Sequence, residues 1–300
     1  MADLKTLRNR IKGIKNTKKI TQAMKVVAAS KLRKARMAAE ETRLFTNATR
    51  SSFLHSLSSL DNSDNIGLDF MHTKDAKKTL LVLVSGDRGL CGGINNNIIK
   101  YTIASANKII SDGRECKIAI IGKKATDGIA SRFPNLVFST SEGFSSRKID
   151  LEAVNNIKAK ILSSINDEGF NRVRIIYSGF ESAISQVVVD KLFIASKEDL
   201  LAELAEETKD QSQNDLVEFE YEPSKEQVIL SLFDYYVLST LNQAFFESYA
   251  SEQGARMTAM DNAVNNCSEL VNKLTLVYNR TRQAKITTEL VELISAVESI

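Results

Sequence analysis

The feature that most constrains this chain is a long C-terminal stretch without helix breakers. From Ser224 to Ile300 there is no proline and only one glycine, Gly254. At 1.5 Å of rise per residue, a continuous helix over these residues would be about 110 Å long, several times the width of an ordinary domain. Such a helix cannot be packed along its whole length inside one globule.

The apolar pattern changes along this stretch. Between Val228 and Phe246 the helix is apolar on nearly every face. From Met260 onward the apolar residues recur at alternating steps of four and three, as in a heptad repeat. They are Met260, Val264, Cys267, Val271, Leu274 and Tyr278. This narrow stripe predicts a single helical partner.

The N-terminal residues 1–58 can supply that partner, since they contain no proline and one glycine, Gly13. Heptad spacing begins with Leu4, Leu7, Ile11 and Ile14. We then expect a phase break at Lys15–Lys19, after which the stripe resumes with Ile20, Met24, Val27, Ala28, Leu32 and Ala35. The two termini are therefore predicted to pair as a coiled coil around an inserted domain. The alternative is two ordinary amphipathic helices lying on that domain.

Charge is distributed unevenly along the chain. The net charge of the 300 residues is only +3, but the first fifty carry eight Lys and six Arg against Asp3, Glu40 and Glu41, which gives +11. A basic segment of this kind predicts acidic partners for the N-terminal helix.

Composition also argues against several kinds of site. Cys91, Cys116 and Cys267 are widely spaced, which favours a reducing compartment without a disulfide framework. His55 and His72 are isolated, so no His/Cys metal site is expected. Apolar runs of about six residues are far short of the roughly 20 that a membrane-spanning helix needs. Because the heptad stripe already begins at Leu4, we interpret the basic N-terminus as part of the mature fold rather than as a transit peptide.

The middle of the chain alternates between predicted strands and helices. Buried strands are expected at 79–86, 116–122 and 172–178, with helices at 94–110, 123–133 and 150–166 between them. This order predicts a parallel α/β sheet with right-handed crossovers. Two more strands, at 186–195 and 216–221, would form an antiparallel edge, with an acidic helix and loop at 202–215 between them and a polar loop at 58–78 before the sheet.

The densest glycine cluster, Ser85–Asn97 (SGDRGLCGGINNN), follows the first of these strands. Phosphate-binding loops occupy such positions, but this segment matches neither G-x-x-x-x-G-K-[ST] nor G-x-G-x-x-G. We interpret it as a tight turn with glycines at positive φ, tied down by Asp87 or Arg88. No catalytic constellation stands out in the sequence, so we expect a protein that acts through shape and contacts, without a cofactor.

Four segments, in this order along the chain, resemble the gamma subunits of F-type ATP synthases. They are NTKKITQAMKVVAASKLRKAR (16–36), LVSGDRGLCGGINNN (83–97), ASEQGARMTAMDNA (250–263) and LTLVYNRTRQAKITTELVELI (274–294). The resemblance implies an α/β protein with a long antiparallel coiled coil of the terminal helices and an inserted Rossmann-like domain. The expected divisions are 1–58, 76–222 and 223–300.

The resemblance also implies a function. In this family the coiled coil is the central rotor shaft inside a ring of three alpha and three beta subunits, and the α/β domain stands on the membrane c-ring beside the epsilon subunit. Rotation of the shaft by proton flow drives the catalytic sites on beta, while gamma has no catalytic site and regulates ATPase activity and proton flow. The expected location is the cytoplasmic side of a bacterial inner membrane, as a peripheral protein.

Individual residues can be carried over where the motifs match. Arg282 and Gln283 resemble a pair that contacts an acidic loop of beta, and Arg256 and Met24 resemble positions important for coupling. Further expected contacts with beta are made by Arg256, Lys18, Lys19, Lys25, Lys31 and Arg33. An apolar tip in the sleeve of the ring is expected from Leu290, Leu293, Ile294 and Val297. Each basic residue could instead be a solvated flank of the coiled coil, and for Met24 simple packing in the stripe is the favoured interpretation.

This chain departs from the family pattern at two places. Gly254 replaces a small non-glycine residue, at a cost of roughly 1 kcal/mol in helix propensity. The ending ISAVESI lacks the usual Gly/Ala-rich tail. Two other classes of protein stay open at this point: a basic coiled-coil protein that binds nucleic acid, and a nucleotide-binding enzyme built on the α/β domain.

Overall fold

The computed structural model describes residues 4–60, 68, 77–143, 151–207 and 220–298. The chain divides into two compact units. The two-helix unit comprises Met1–Ser30 and Arg256–Ile300, and the α/β unit comprises Lys31–Ala255.

Two long helices carry the termini, as the sequence predicts. Helix α1 spans Leu4–Ser58, and helix α6 spans Lys225–Glu298. Pro223 precedes α6 closely, and Ser224 begins the helix because its hydroxyl accepts a hydrogen bond from the backbone N–H of Gln227 at 3.3 Å. The expected division at 58 and 223 stays a prediction, since the compact units divide within both helices.

Between the two helices lie five strands, four further α-helices and a short 3-10 helix (Pro134–Leu136) of the described chain. In order, the strands and α-helices are β1 (Lys78–Val84), α2 (Ile94–Ser111), β2 (Glu115–Ile121), α3 (Lys123–Ile129), β3 (Val137–Ser141), α4 (Leu151–Glu168), β4 (Arg172–Phe180), β5 (Gln186–Ile194) and α5 (Lys197–Glu207).

These strands form one sheet in the order β3-β2-β1-β4-β5. β1 pairs in parallel with both β2 and β4, β2 pairs in parallel with β3, and β5 is antiparallel to β4. The predicted parallel sheet with an antiparallel edge is therefore confirmed. Of the predicted strand at 216–221, residues 216–219 lie outside the described residues, and residues 220–221 are not in a strand. Most of the acidic segment at 202–215 and of the loop at 58–78 also lies outside the described residues.

One strand, β3, was not predicted. Its residues Val137–Ser141 (VFSTS) include only two apolar side chains, and most of the strand is half-buried. An edge strand of a parallel sheet has little apolar surface to cover, so it lacks the continuous apolar run that identifies β1 and β2.

The core of the α/β unit lies on both faces of the sheet. Along β1, Leu80, Val82 and Val84 point into one cluster, and Leu81 and Leu83 point into the other. The first cluster also contains side chains of α4 and of the parts of α1 and α6 in this unit, and the second contains side chains of α2 and α3. Helices on both faces explain why the central strands are apolar throughout, since neither face meets water.

Candidate functional site

In the two-helix unit, the apolar stripe of α6 is the predicted one. Met260 is buried, and Val264, Cys267, Val271, Leu274 and Tyr278 are all partly covered. In contrast, Leu270, Leu276 and Val277 are exposed. The heptad positions thus decide which apolar side chains of this helix are covered.

The stripe of α1 differs from the prediction, because it has no phase break. The covered positions of α1 in this unit are Leu4, Leu7, Ile11, Ile14, Lys18, Thr21, Met24, Lys25, Ala28 and Ala29. Met24 was expected in the stripe, and all the others except Ala29 follow each other at steps of three and four. Ile20 and Val27, expected in the stripe, are 61% and 53% exposed. A pattern of apolar residues does not reveal this stripe, because the apolar stems of lysines and the methyl group of a threonine can also line a helix interface.

Two contacts between side chains fix the direction of the helices in this unit. Arg8 Nη2 donates to the hydroxyl of Tyr278 at 2.9 Å, and Lys25 Nζ lies 2.6 Å from Asp261 Oδ1. From 8 to 25 the chain advances by 17 residues, and from 278 to 261 it returns by 17 residues. The helices are therefore antiparallel and keep the same register over about 26 Å.

The ion pair of Lys25 and Asp261 assigns an intramolecular partner to a residue expected to contact beta. The two side chains are 33% and 46% exposed, so the pair is half-buried at the edge of the stripe. The sequence contains a signal for Asp261, which is an acid next to the stripe residue Met260 and opposite a basic helix. A contact of Lys25 with another subunit stays a prediction and would have to compete with this bond.

The other predicted contact residues differ in exposure. Lys19, Arg282 and Gln283 are exposed, whereas Lys18, Met24 and Lys31 are partly covered. Arg256 is 9% exposed and so presents little of its surface. The structure brings Lys25 together with Asp261, but it does not gather the predicted residues into one cluster, and their roles toward other subunits stay predictions.

The last part of α6 is uncovered. Every residue from 282 to 297 is exposed, although this segment is rich in large apolar side chains. They are Ile286, Leu290, Val291, Leu293, Ile294 and Val297. The register that pairs Arg8 with Tyr278 places Leu4 level with Arg282, so the exposed segment of α6 begins level with the first described residue of α1. An apolar helical surface of this kind is typical of a binding site for another protein.

The glycine cluster in the α/β unit has a structural role. The Asn95 side chain accepts a hydrogen bond from Gly86 N at 3.2 Å and donates one to the Arg88 carbonyl at 3.3 Å. Asp87 Oδ1 accepts a hydrogen bond from Lys123 N at 2.9 Å, so its carboxylate occupies the start of α3. Gly92 has a φ of +63°. These contacts confirm the prediction of a tight turn tied down by Asp87.

Glu252 of α6 covers the same loop. Its Oε2 would lie only 2.5 Å from a Cβ atom at Gly86, so this glycine is needed for the close approach. A carboxylate above the loop and another at the start of α3 oppose the binding of a phosphate group by charge repulsion. The loop therefore does not support the alternative of a nucleotide-binding enzyme.

The perturbed pKa values of the α/β unit have structural causes. Burial raises the pKa of the Cys116 thiol to about 11, and burial is also the main reason that the pKa of the Tyr177 hydroxyl is raised. Neither shift activates a nucleophile at neutral pH. Among the described residues, no group of three or more His, Cys, Asp or Glu side chains is arranged to hold a metal ion. Of the helices in the described ranges, none combines the length and apolarity needed to cross a bilayer.

Comparisons with known proteins agree with these features. A family model described as ATP synthase matches residues 3–300. The ATP synthase gamma chain of Rhodospirillum rubrum is 38% identical over 300 residues, which is 100% of both chains. A chain in a cryo-EM structure of the Tetrahymena thermophila mitochondrial ATP synthase, described as central stalk and c-ring, is 26% identical with a TM-score of 0.59, over 81% of this chain and 99% of that one.

A second solved structure supports the fold. A chain of the Euglena gracilis mitochondrial ATP synthase has a TM-score of 0.67 and covers 99% of this chain and 94% of its own length, at 21% identity. Similarity in sequence extends over the whole chain, and similarity in structure includes both terminal helices and the sheet between them. The chain belongs to the family of ATP synthase gamma chains.

Proposed function

We propose that this protein is the central rotor shaft of an F-type ATP synthase. In this role it couples proton-driven rotation of the membrane c-ring to ATP synthesis or hydrolysis at the catalytic sites of the alpha and beta subunits. It is an essential subunit of the complex with no catalytic chemistry of its own, and it regulates ATPase activity and proton flow by its rotation.

The observation that carries this proposal is the uncovered end of α6. Burying a large aliphatic side chain contributes about 1.5–3 kcal/mol, so a helix that leaves six of them in water lacks the stabilisation that a partner would provide. A closed sleeve of alpha and beta subunits would cover this segment on all sides. The similarity of this chain to the ATP synthase gamma chain of Rhodospirillum rubrum and to a chain in the central stalk/c-ring structure of the Tetrahymena thermophila enzyme supports the assignment to the rotor.

The charge of the N-terminal helix supports the proposed contacts with beta. The first fifty residues carry a net charge of +11, and Lys19, Arg282 and Gln283 are exposed in the two-helix unit. Exposed ion pairs contribute about 0–1 kcal/mol each. Bonds of this strength can form and break at each step of a rotation.

The α/β unit, in this proposal, stands on the c-ring beside the epsilon subunit. The protein is then peripheral, on the cytoplasmic side of a bacterial inner membrane. Three relatives with the same family name come from bacteria, which supports this location.

Co-expression of this chain with alpha and beta subunits of the same enzyme tests the proposal. We expect a complex with one copy of the chain per three alpha–beta pairs, and loss of its ATPase activity when the chain is omitted. Recovery of the chain separate from alpha and beta subunits, with ATPase activity independent of it, would contradict the proposal.

A shortened chain tests the uncovered end of α6. A stop after Thr288 removes twelve residues, including Leu290, Leu293 and Ile294. We expect weaker assembly or weaker coupling of ATP hydrolysis to proton pumping. The matched control replaces the exposed Leu44 of α1 by alanine and should leave both unchanged, because it removes exposed apolar surface from another part of the chain.

A further inference from the structure

A buried carboxylate lies where three elements of the α/β unit meet. Glu247 of α6 is only 3% exposed. Its Oε1 accepts a hydrogen bond from Arg43 Nε of α1 at 2.9 Å and another from Gln243 Nε2, one turn earlier in α6, also at 2.9 Å. Buried charges of this kind are maintained only when they are paired and hydrogen-bonded, so the position is built around the carboxylate.

The same arginine also contacts the sheet. Arg43 Nη2 donates to the carbonyl oxygen of Phe180, the last residue of β4, at 3.3 Å. One guanidinium group thus connects α1, α6 and the carboxyl end of β4. Lysine could not do this, because its ammonium group is a single point of charge, whereas guanidinium presents several donors in a rigid plane.

Glu247 also lies close to the end of β4. A Cβ atom at Gly179 would be in ordinary contact with Glu247 Oε2, at 3.5 Å, and too close to Val189 Cγ2 of β5, at 2.6 Å. One turn after Glu247, the buried Ser251 Oγ donates to the Ser178 carbonyl at 3.0 Å. Helix α6 is therefore joined to β4 through Arg43 and, one turn later, by the direct hydrogen bond of Ser251.

The two long helices also contact each other closely at this level of the α/β unit. Ala35 and Ala39 of α1 pack with Ala250 of α6 in a small cluster with almost no exposed surface. Alanine side chains allow a close approach of the helices, and Phe180, Phe246 and Tyr249 pack against them. The bonds of Arg43 add directional contacts to this packing.

We infer that Arg43 and Glu247 are a positioning pair, which locks α1 and α6 to the end of β4 so that torque passes between the sheet and the helices without slip. This inference rests on the proposed rotor function. It assigns to the pair a role in coupling, in addition to any contribution to stability. Arg36 and Glu40, an ion pair on α1 with both side chains more than half exposed, provide a contrast because they join no second element.

The test uses the complete ATP synthase in inverted membrane vesicles. ATP hydrolysis and ATP-driven proton pumping are measured on the same preparation, together with the amount of assembled complex. For Arg43→Ala and Glu247→Gln we expect the ratio of pumping to hydrolysis to fall by roughly two- to thirty-fold, the range for residues that modulate coupling between sites. Arg36→Ala should leave the ratio at the wild-type value.

A further variant separates positioning from folding. Arg43→Lys keeps the charge but loses the fork of donors, so we expect assembly to persist while the ratio stays below wild type. If complexes with Arg43→Ala, Glu247→Gln or Arg43→Lys assemble and pump at the wild-type ratio, the inference is wrong. If the wild-type chain itself does not restore pumping, the proposed function fails instead.

Discussion

Helix α6 runs through both units of this protein, but the fraction of its surface that is covered differs strongly between them. In the α/β unit, no residue of α6 from 236 to 255 is exposed. Tyr236 stacks on Phe53 of α1 at a centroid distance of 5.1 Å, and its hydroxyl donates to the Phe193 carbonyl of β5 at 3.0 Å. In the two-helix unit, by contrast, only one stripe of α6 is covered beyond residue 261, and Leu293 is 63% exposed.

The difference in coverage separates the part of α6 that contributes most to stability from the part that is available for binding. A helix that is covered on all sides contributes most to the free energy of unfolding, because each buried side chain leaves water completely. A helix with one covered stripe contributes less, and it presents the remainder of its surface to other proteins. The α/β unit is therefore the stable body of the chain, and the two-helix unit is the part whose surface is available for binding.

The largest expected effect comes from removing a buried ring. Phe53→Ala should lower the free energy of unfolding by about 3–5 kcal/mol, because it leaves a cavity against Phe233 and Tyr236. Leu293→Ala, the matched change on the exposed helix, should alter it by less than about 0.5 kcal/mol. Urea denaturation of the purified chain, followed by circular dichroism, measures both. Equal effects would remove the contrast between the units.

Substitutions of two glycines in the α/β unit measure how tightly α6 and its surroundings are packed there. Gly254→Ala should raise stability by about 0.5–1 kcal/mol, because a Cβ atom there would meet Ala183 Cα at an ordinary 3.4 Å and alanine favours the helix. Gly179→Ala should lower stability, because its Cβ would lie 2.6 Å from Val189 Cγ2. Thermal unfolding of the two variants distinguishes them. A loss of stability in Gly254→Ala would mean that the helix cannot adjust by even a few tenths of an ångström.

The ion pair in the two-helix unit should have a small effect. A double-mutant cycle with Lys25→Ala and Asp261→Ala should give a coupling energy of about 0.2–1 kcal/mol, because both side chains are partly exposed. High salt should reduce this energy further. Unfolding by urea at low and high salt measures it. A coupling well above this range, insensitive to salt, would indicate that the pair is as buried as Glu247.

Cysteine reactivity gives a comparison without a change in stability. Cys267 in the two-helix unit is partly exposed, whereas Cys91 and Cys116 in the α/β unit are buried. With a pKa of about 11 for the Cys116 thiol, only about one molecule in a thousand carries its thiolate at pH 8, and this fraction rises with pH. Alkylation at pH 8 with mass spectrometry should modify Cys267 first. Early modification of Cys116 would show that the α/β unit opens readily.

Much of the fold could be predicted from the sequence. Long runs without proline predicted α1 and α6. Continuous apolar runs predicted β1, β2 and β4, because a strand that is buried on both faces is apolar at nearly every position. The edge strand β3 left no such trace. Along α1 the expected phase break was wrong, since Lys18 and Lys25 take positions in the stripe that a pattern of apolar residues does not show.

By itself, the sequence determined the helix-forming runs, the heptad stripe of α6, the strand order along the chain and the basic N-terminal arm, because each depends on neighbouring residues or on composition. Only the tertiary structure decided that Lys25 faces Asp261, that Glu252 covers Gly86, and that Arg43 joins Glu247 to the end of β4. These partners lie between 137 and 236 residues apart along the chain. Local patterns carry no information about such pairs, because their proximity is created by the packing of whole helices on a sheet and on each other.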